Sequence, residues 1–190
     1  MHQLSRKEVH AYWSEPPHTN RAKRYIGRPG YRTIIALADQ YVAKDAALLE
    51  LGCNVGTTMD ALRLAGYSNL TGIEINPEAV ALLHQLYGDL GTILTGPIEQ
   101  HLPKLGAFDM IYSKAVLCHV HTDSDGIFAQ MAERTRFILT VEDEQTRSSG
   151  RHFPRNYRLV LKQFGFRQVE YIHEPEGMGA PYVARLLRRD

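Results

Sequence analysis

Cysteine is scarce in this sequence. Cys53 and Cys118 are the only two in 190 residues, which gives no disulfide framework and no metal-binding spacing. Long apolar runs are also missing, and none approaches the roughly 20 residues a membrane-spanning helix needs. The opening stretch MHQLSRKEVHAYW lacks the apolar core of a signal peptide, so a cytoplasmic location is expected. There is no internal repeat and no low-complexity tract. Histidines number nine, but the nearest pairs, His119 with His121 and His2 with His10, lack supporting ligands, and no metal is expected. What remains is ordinary: 44% apolar and 23% charged residues, the composition of one globular domain with a full core.

The net charge of +1 hides an uneven distribution. Residues 1–32 carry seven Lys/Arg and two Asp/Glu, and residues 147–190 carry nine and four. Residues 33–146 carry six and fifteen, so the middle stands at −9 and the flanks together at +10. Either the flanks neutralise the core, or they hold an anion.

Residues 14–31, rich in Pro, Gly and basic groups, read as an irregular arm. Before it, Ser5–Trp13 is a short helix with Ser5 as cap and Glu8 three residues on. Tyr31–Val42 has helical spacing. Strands and helices then alternate: strands at Ala46–Leu51, Leu70–Ile75, Thr92–Thr95, Phe108–Tyr112 and Phe137–Val141, with helices at Thr57–Ala65, Pro77–Tyr87 and Ser124–Arg134. A helix over Pro154–Phe164 precedes two strands, Phe166–Ile172 and Tyr182–Leu187, close enough to pair antiparallel. Such alternation predicts a mostly parallel sheet with both faces covered and a ligand beyond the carboxyl ends of its strands.

The stretch LLELGCNVGTTMDAL, Leu48 to Leu62, is a strand, a glycine turn and a helix start. Its pattern is Glu50-x-Gly52-x-Asn54-x-Gly56. The spacing departs from the dinucleotide fingerprint, and no Gly-Lys-Ser/Thr follows to make a P-loop. A carboxylate at Glu50 suits a cofactor with a positive amino group, or it caps the next helix. Glu74, 22 positions after Gly52, sits at the tip of the second strand, where a carboxylate suits a ribose diol.

With TGPIEQ after the third strand and FDMIYSKAVLCHV along the fourth, residues 46–142 resemble class I S-adenosylmethionine-dependent methyltransferases. The resemblance implies an α/β, Rossmann-like, seven-stranded, mostly parallel sheet whose last two strands pair antiparallel. It implies S-adenosylmethionine as cofactor and S-adenosylhomocysteine as product. Carried over residue by residue, it puts Glu50, Gly52, Cys53, Asn54, Gly56 and Thr57 at the cofactor turn. Glu74 and Ile75 fall at the ribose, Ile98 and Glu99 at the adenine, and Ser113, Lys114 and Ala115 near the methyl group. Pro97 stands where the family often has Asp, and Glu99 or a backbone carbonyl would take over that role.

The substrate side rests on fewer signals. His119, after the fourth strand, is a candidate base or hydrogen-bond donor, or a histidine bound to backbone. RSSGRHFPRNY carries Arg147, Arg151, His152 and Arg155, suited to a carboxylate or phosphonate, or to neutralising Glu142, Asp143 and Glu144. Trp13 and Tyr25 in the arm would close over the site as a lid. The expected domain layout is therefore an arm over residues 1–45 and a catalytic core over 46–190. The expected activity is methyl transfer, O-directed, to a small anionic metabolite by a monomer or homodimer, with no nucleic acid and no membrane involved. A protein or nucleic-acid methyltransferase is the alternative, although SKAV stands where DPPY would be. A non-catalytic cofactor-binding member of the fold is another.

Overall fold

The computed structural model describes residues 2–146 and 149–190. Arg147 therefore lies outside the described residues. Seven strands form one sheet: β1 Ala47–Leu51, β2 Asn69–Glu74, β3 Thr92–Thr95, β4 Met110–Lys114, β5 Phe137–Asp143, β6 Arg167–His173 and β7 Tyr182–Arg188. Their order is β3-β2-β1-β4-β5-β7-β6. The first five are parallel, and β7 enters antiparallel between β5 and β6. The expected fold class is the one observed.

The period of two along the strands sorts side chains onto two faces. Leu48, Leu70, Met110 and Leu139 pack with α2 (Tyr31–Tyr41), α3 (Thr57–Leu64) and Leu83 of α4 (Pro77–Tyr87). Leu49, Ile73, Ile111 and Ile138 pack on the other face, against α5 (Ile98–His101), α6 (Gly126–Arg134) and α7 (Tyr157–Lys162). Helix starts follow local chemistry. The Asn76 side chain accepts from the N–H groups of Glu78 and Ala79, with Pro77 at the first position. At the arm, α1 (Arg6–Ser14) has the capping box of Ser5 and Glu8. Two 3-10 turns, His18–Asn20 and Ala22–Tyr25, fill the segment expected to be irregular. Among the described residues no helix is long and apolar enough to cross a membrane.

The chain leaves β1 toward β2 and β3 on one side and returns to β4 on the other. The carboxyl ends of β1 and β4 therefore open a crevice. One expected element is shorter than its pattern. The helix predicted over Pro154–Phe164 runs only over Tyr157–Lys162. Phe153 N–H donates to Cys118 C=O at 2.7 Å, which pins the chain ahead of the helix, and the Asn156 side chain caps it. Pro154 and Arg155 thus lie in the loop, not in the first turn. Similarly, α6 begins at Gly126 because Thr122–Ser124 forms a 3-10 turn.

On β7, Arg185 donates through Nε and one terminal nitrogen to the two Glu144 oxygens, at 2.7 Å each. The side chains are 10% and 7% exposed. Removing one partner leaves the other charge buried and unpaired. Arg185→Ala is expected to destabilise the fold by about 3–5 kcal/mol, read from urea melts. Pairing it with Glu144→Leu should recover most of the loss.

Candidate active site

At the carboxyl ends of β1, β2 and β4 lies a cavity of about 450 Å³. Its floor follows from the glycine turn. Gly52 (φ 70°), Asn54 (φ 48°) and Gly56 (φ 79°) all take the left-handed region, which turns the backbone back on itself between β1 and α3. A Cβ on Gly52 would stand 2.4 Å from a Val116 methyl, and one on Gly56 would stand 2.7 Å from Leu83 Cγ. Opposite Glu50 in the β2 register is Gly72, where a Cβ would meet Cys53 Sγ at 2.7 Å.

Two carboxyl groups flank this turn. Glu74 is buried, and its oxygens accept from Asn54 N–H and Asn76 N–H, both at 2.8 Å. Burial raises its pKa, and those N–H bonds oppose the rise. Glu50 is also buried and accepts from the Tyr112 hydroxyl at 3.2 Å. Burial pushes its carboxyl up to about 7, against the pull of the nearby Lys114 ammonium and Tyr112. Lys114 is in turn pushed below its ordinary value by burial, with Arg28 adding to the effect.

A third buried carboxyl shapes the wall. Glu142, at the end of β5, accepts from three successive N–H groups. Val116 N–H reaches both oxygens at 3.0 and 3.1 Å, Leu117 one at 3.1 Å and Cys118 the other at 3.2 Å. This fixes the turn that carries Val116 and His119 into the cavity lining. The His119 ring lies 4.7 Å from the Trp13 ring and 4.6 Å from His152. Its Nδ1 is 3.2 Å from the Arg151 carbonyl. Burial lowers its pKa to about 4, although the Arg151 carbonyl opposes this, so the ring is neutral near pH 7.

The roof comes from two segments. From the arm come Val9, His10, Trp13, Asn20, Tyr25 and Arg28. From the β6–β7 loop come Gly177 and Met178, with Tyr182 beside them. The two segments meet, since a Cβ on Gly30 would stand 2.4 Å from Met178 Sδ, and Arg32 pairs with Glu176 at 2.5 Å. On the far side His10 Nε2 lies 3.1 Å from Glu99, which also accepts from the Ser124 hydroxyl. Burial works to raise the Glu99 pKa, but Ser124 and His10 outweigh it and hold it below the usual range.

Residues 49–136 match a family model described as a methyltransferase domain. Over those residues, a little under half of the chain, the sequence is similar to a methyltransferase domain. The chain's fold is shared over nearly its whole length by solved methyltransferases of low sequence identity. The magnesium protoporphyrin IX methyltransferase of Synechocystis PCC 6803, solved with S-adenosylhomocysteine, has 17% identity and a TM-score of 0.77. It is aligned over 98% of this chain and 100% of its own. The 1,6-didemethyltoxoflavin-N1-methyltransferase of Burkholderia thailandensis has 16% identity, a TM-score of 0.71 and coverage of 97% and 86%. A putative RNA methyltransferase of Pyrococcus horikoshii has 12% identity, a TM-score of 0.66 and 98% coverage of both chains. No curated protein matches by sequence.

In this cavity the structure brings together most of the residues expected at the cofactor. Glu50, Gly52, Cys53, Asn54, Thr57, Glu74, Ile75, Ile98, Glu99, Lys114 and Ala115 line it. Gly56 acts one step back, as the left-handed cap of α3. Ser113 is buried and is not among the lining residues. On the substrate side Trp13, Tyr25 and His119 line the cavity, but Arg151, His152 and Arg155 do not. The structure thus sets these three residues of the expected arginine clamp outside the cavity lining. Arg155 donates to the carbonyls of Leu117, Phe153 and Val120 and pairs with Asp125, with its side chain 8% exposed. Arg151 lies over the Tyr12 ring at 4.4 Å. Among the described residues neither Arg151 nor Arg155 forms an ion pair with the EDE cluster. Glu142 is held by backbone N–H groups, Asp143 by those of Gln145 and Thr146, and Glu144 by Arg185. Sequence reasoning missed Met178 and Tyr182, for which the only signal was their place in the β6–β7 loop and at the start of β7.

Glu142→Gln isolates the wall. An amide cannot accept from three N–H groups with both of its heavy atoms, and its own NH2 faces donors. The protein should lose about 1.5–3 kcal/mol of stability, measured by chemical denaturation. A variant as stable as the parent would mean that the turn holds itself.

Proposed function

We propose that the protein transfers a methyl group from S-adenosylmethionine to a small-molecule acceptor. The observation that carries this is the pair of buried carboxyl groups, Glu50 and Glu74, on either side of one left-handed glycine turn in one cavity. The residues present fit that cofactor. Glu50 with Lys114 and Arg28 gives one negative and two positive groups, the complement of a zwitterionic amino-acid end. Glu74 is held by two backbone N–H groups and keeps lone pairs for a diol. Ile75, Pro97 and Ile98 offer apolar surface to a flat base.

When bound, the cofactor supplies an already activated sulfonium methyl. The chain's own work is to bind, align and keep out water. The fixed turn over Val116–His119 forms the acceptor side, and the arm with the β6–β7 loop covers it. This covering is the basis for reading residues 1–45 as a lid on a core of residues 46–190. A roof over the cavity favours a small molecule over a polymer. The anionic acceptor expected from the arginine loop loses its support, because the cations at the cavity stand with Glu50 and suit the cofactor.

Binding of a cationic amino group needs ionised Glu50. With its carboxyl near 7 in the free protein, S-adenosylhomocysteine affinity is expected to fall as pH drops from about 8 to 6. Proton release on binding should appear as a buffer-dependent heat in calorimetry. Glu50→Gln should bind weakly at every pH with no slope. Glu74→Ala should cost about 1.5–3 kcal/mol of binding. Unchanged affinity in both variants would rule this cofactor placement out. A screen with labelled methyl donor over small metabolites and over RNA then decides the acceptor class.

A further inference from the structure

The state of His119 narrows the acceptor, granted the reading of this cavity as a methyl-transfer site. A backbone carbonyl only accepts, so the 3.2 Å contact with Arg151 C=O puts the hydrogen on His119 Nδ1. Nε2 then carries a lone pair, and it has no partner among the described residues. Arg151, whose carbonyl sets this tautomer, is itself fixed, with its guanidinium over Tyr12 and its N–H toward Ser149 Oγ at 3.4 Å. His119 shares the lining with the rings of Trp13, Tyr25 and Tyr182 and with Met178.

A lone pair on an imidazole that lines the cavity repels an anionic oxygen and welcomes an O–H. The wall beside it favours a flat ring. We propose that the acceptor is a ring hydroxyl, phenolic or enolic, that donates its hydrogen to His119 Nε2, and that carboxylates and phosphonates are rejected. In the transfer the hydroxyl oxygen forms the O–CH3 bond while the C–S bond breaks and its electron pair stays on sulfur, leaving a neutral thioether. The hydroxyl proton passes to Nε2, and the imidazolium later gives it to water. Positive charge moves from sulfonium to imidazolium, so the buried cavity keeps the same net charge throughout. That constancy lets a buried, weakly basic imidazole serve.

Two measurements test this. Long-range nitrogen-15 correlation spectra of the ligand-free protein, with His119→Gln for assignment, should show His119 protonated on Nδ1; protonation on Nε2 overturns the proposal. Calorimetry on protein saturated with S-adenosylhomocysteine then compares 2-naphthol with 2-naphthoate. Naphthol should bind at least tenfold more tightly, and His119→Phe should erase the preference. Equal or better binding of naphthoate, binding of neither ring, or a preference that survives His119→Phe overturns it. Failure of S-adenosylhomocysteine itself to bind overturns the methyl-transfer reading as well, which separates the two failures.

Discussion

The carboxyl group of Glu142 holds the active-site wall in place. It is buried at the end of β5 and takes the N–H groups of Val116, Leu117 and Cys118. A buried carboxylate without donors would be costly, and a turn with three unpaired N–H groups would be costly too. Each solves the other's problem. The position of Val116 against Gly52, the carbonyls that Arg155 gathers and the placement of His119 all follow from that one arrangement. The Arg155 guanidinium, which looked like a substrate ligand, is the outer brace of the same turn.

The floor of the cavity works by the same logic with the opposite purpose. Glu74 is satisfied by two backbone donors and stands ready. Glu50 has the hydroxyl groups of Tyr112 and Thr58 and the nearby Lys114 ammonium, yet burial still lifts its carboxyl to about 7. The difference lies in what each carboxyl lacks. Glu74 is satisfied by neutral backbone donors, whereas Glu50 has only the partial compensation of Lys114 against the burial that raises its pKa.

Much of this was legible in the sequence because it depends on local spacing. The glycine turn, the strand-tip acid and the Asn-Pro cap are each fixed by neighbours within a few residues, and the parallel sheet follows from alternation. The helix Tyr157–Lys162 was misjudged in length because its start depends on Phe153 reaching Cys118, a contact 35 residues back. The partners of Arg155 were hidden for the same reason. A guanidinium at the right end of the sheet suggests a ligand until the carbonyls that consume its donors are seen. The roof was only half visible. Trp13 and Tyr25 stood out as aromatics in an odd arm, while Met178 and Tyr182 reach the cavity from the β6–β7 loop and the start of β7, which carry no motif.

The place of β7 in the sheet has a consequence for the timing of assembly. It lies between β5 and β6, pairing Phe137 with Arg188 on one side and Arg167 with the same residue on the other. During synthesis β6 is made first, but it has no edge to join until β7 has emerged. Until then the outer edge of β5, the strand that ends in Glu142, is unpaired. The nascent chain can therefore build the half-sheet that holds the glycine turn well before it can lock the acceptor wall. Cofactor-binding competence would then precede a finished acceptor site, and chaperone protection would be most useful in the interval when the β5 edge stands open.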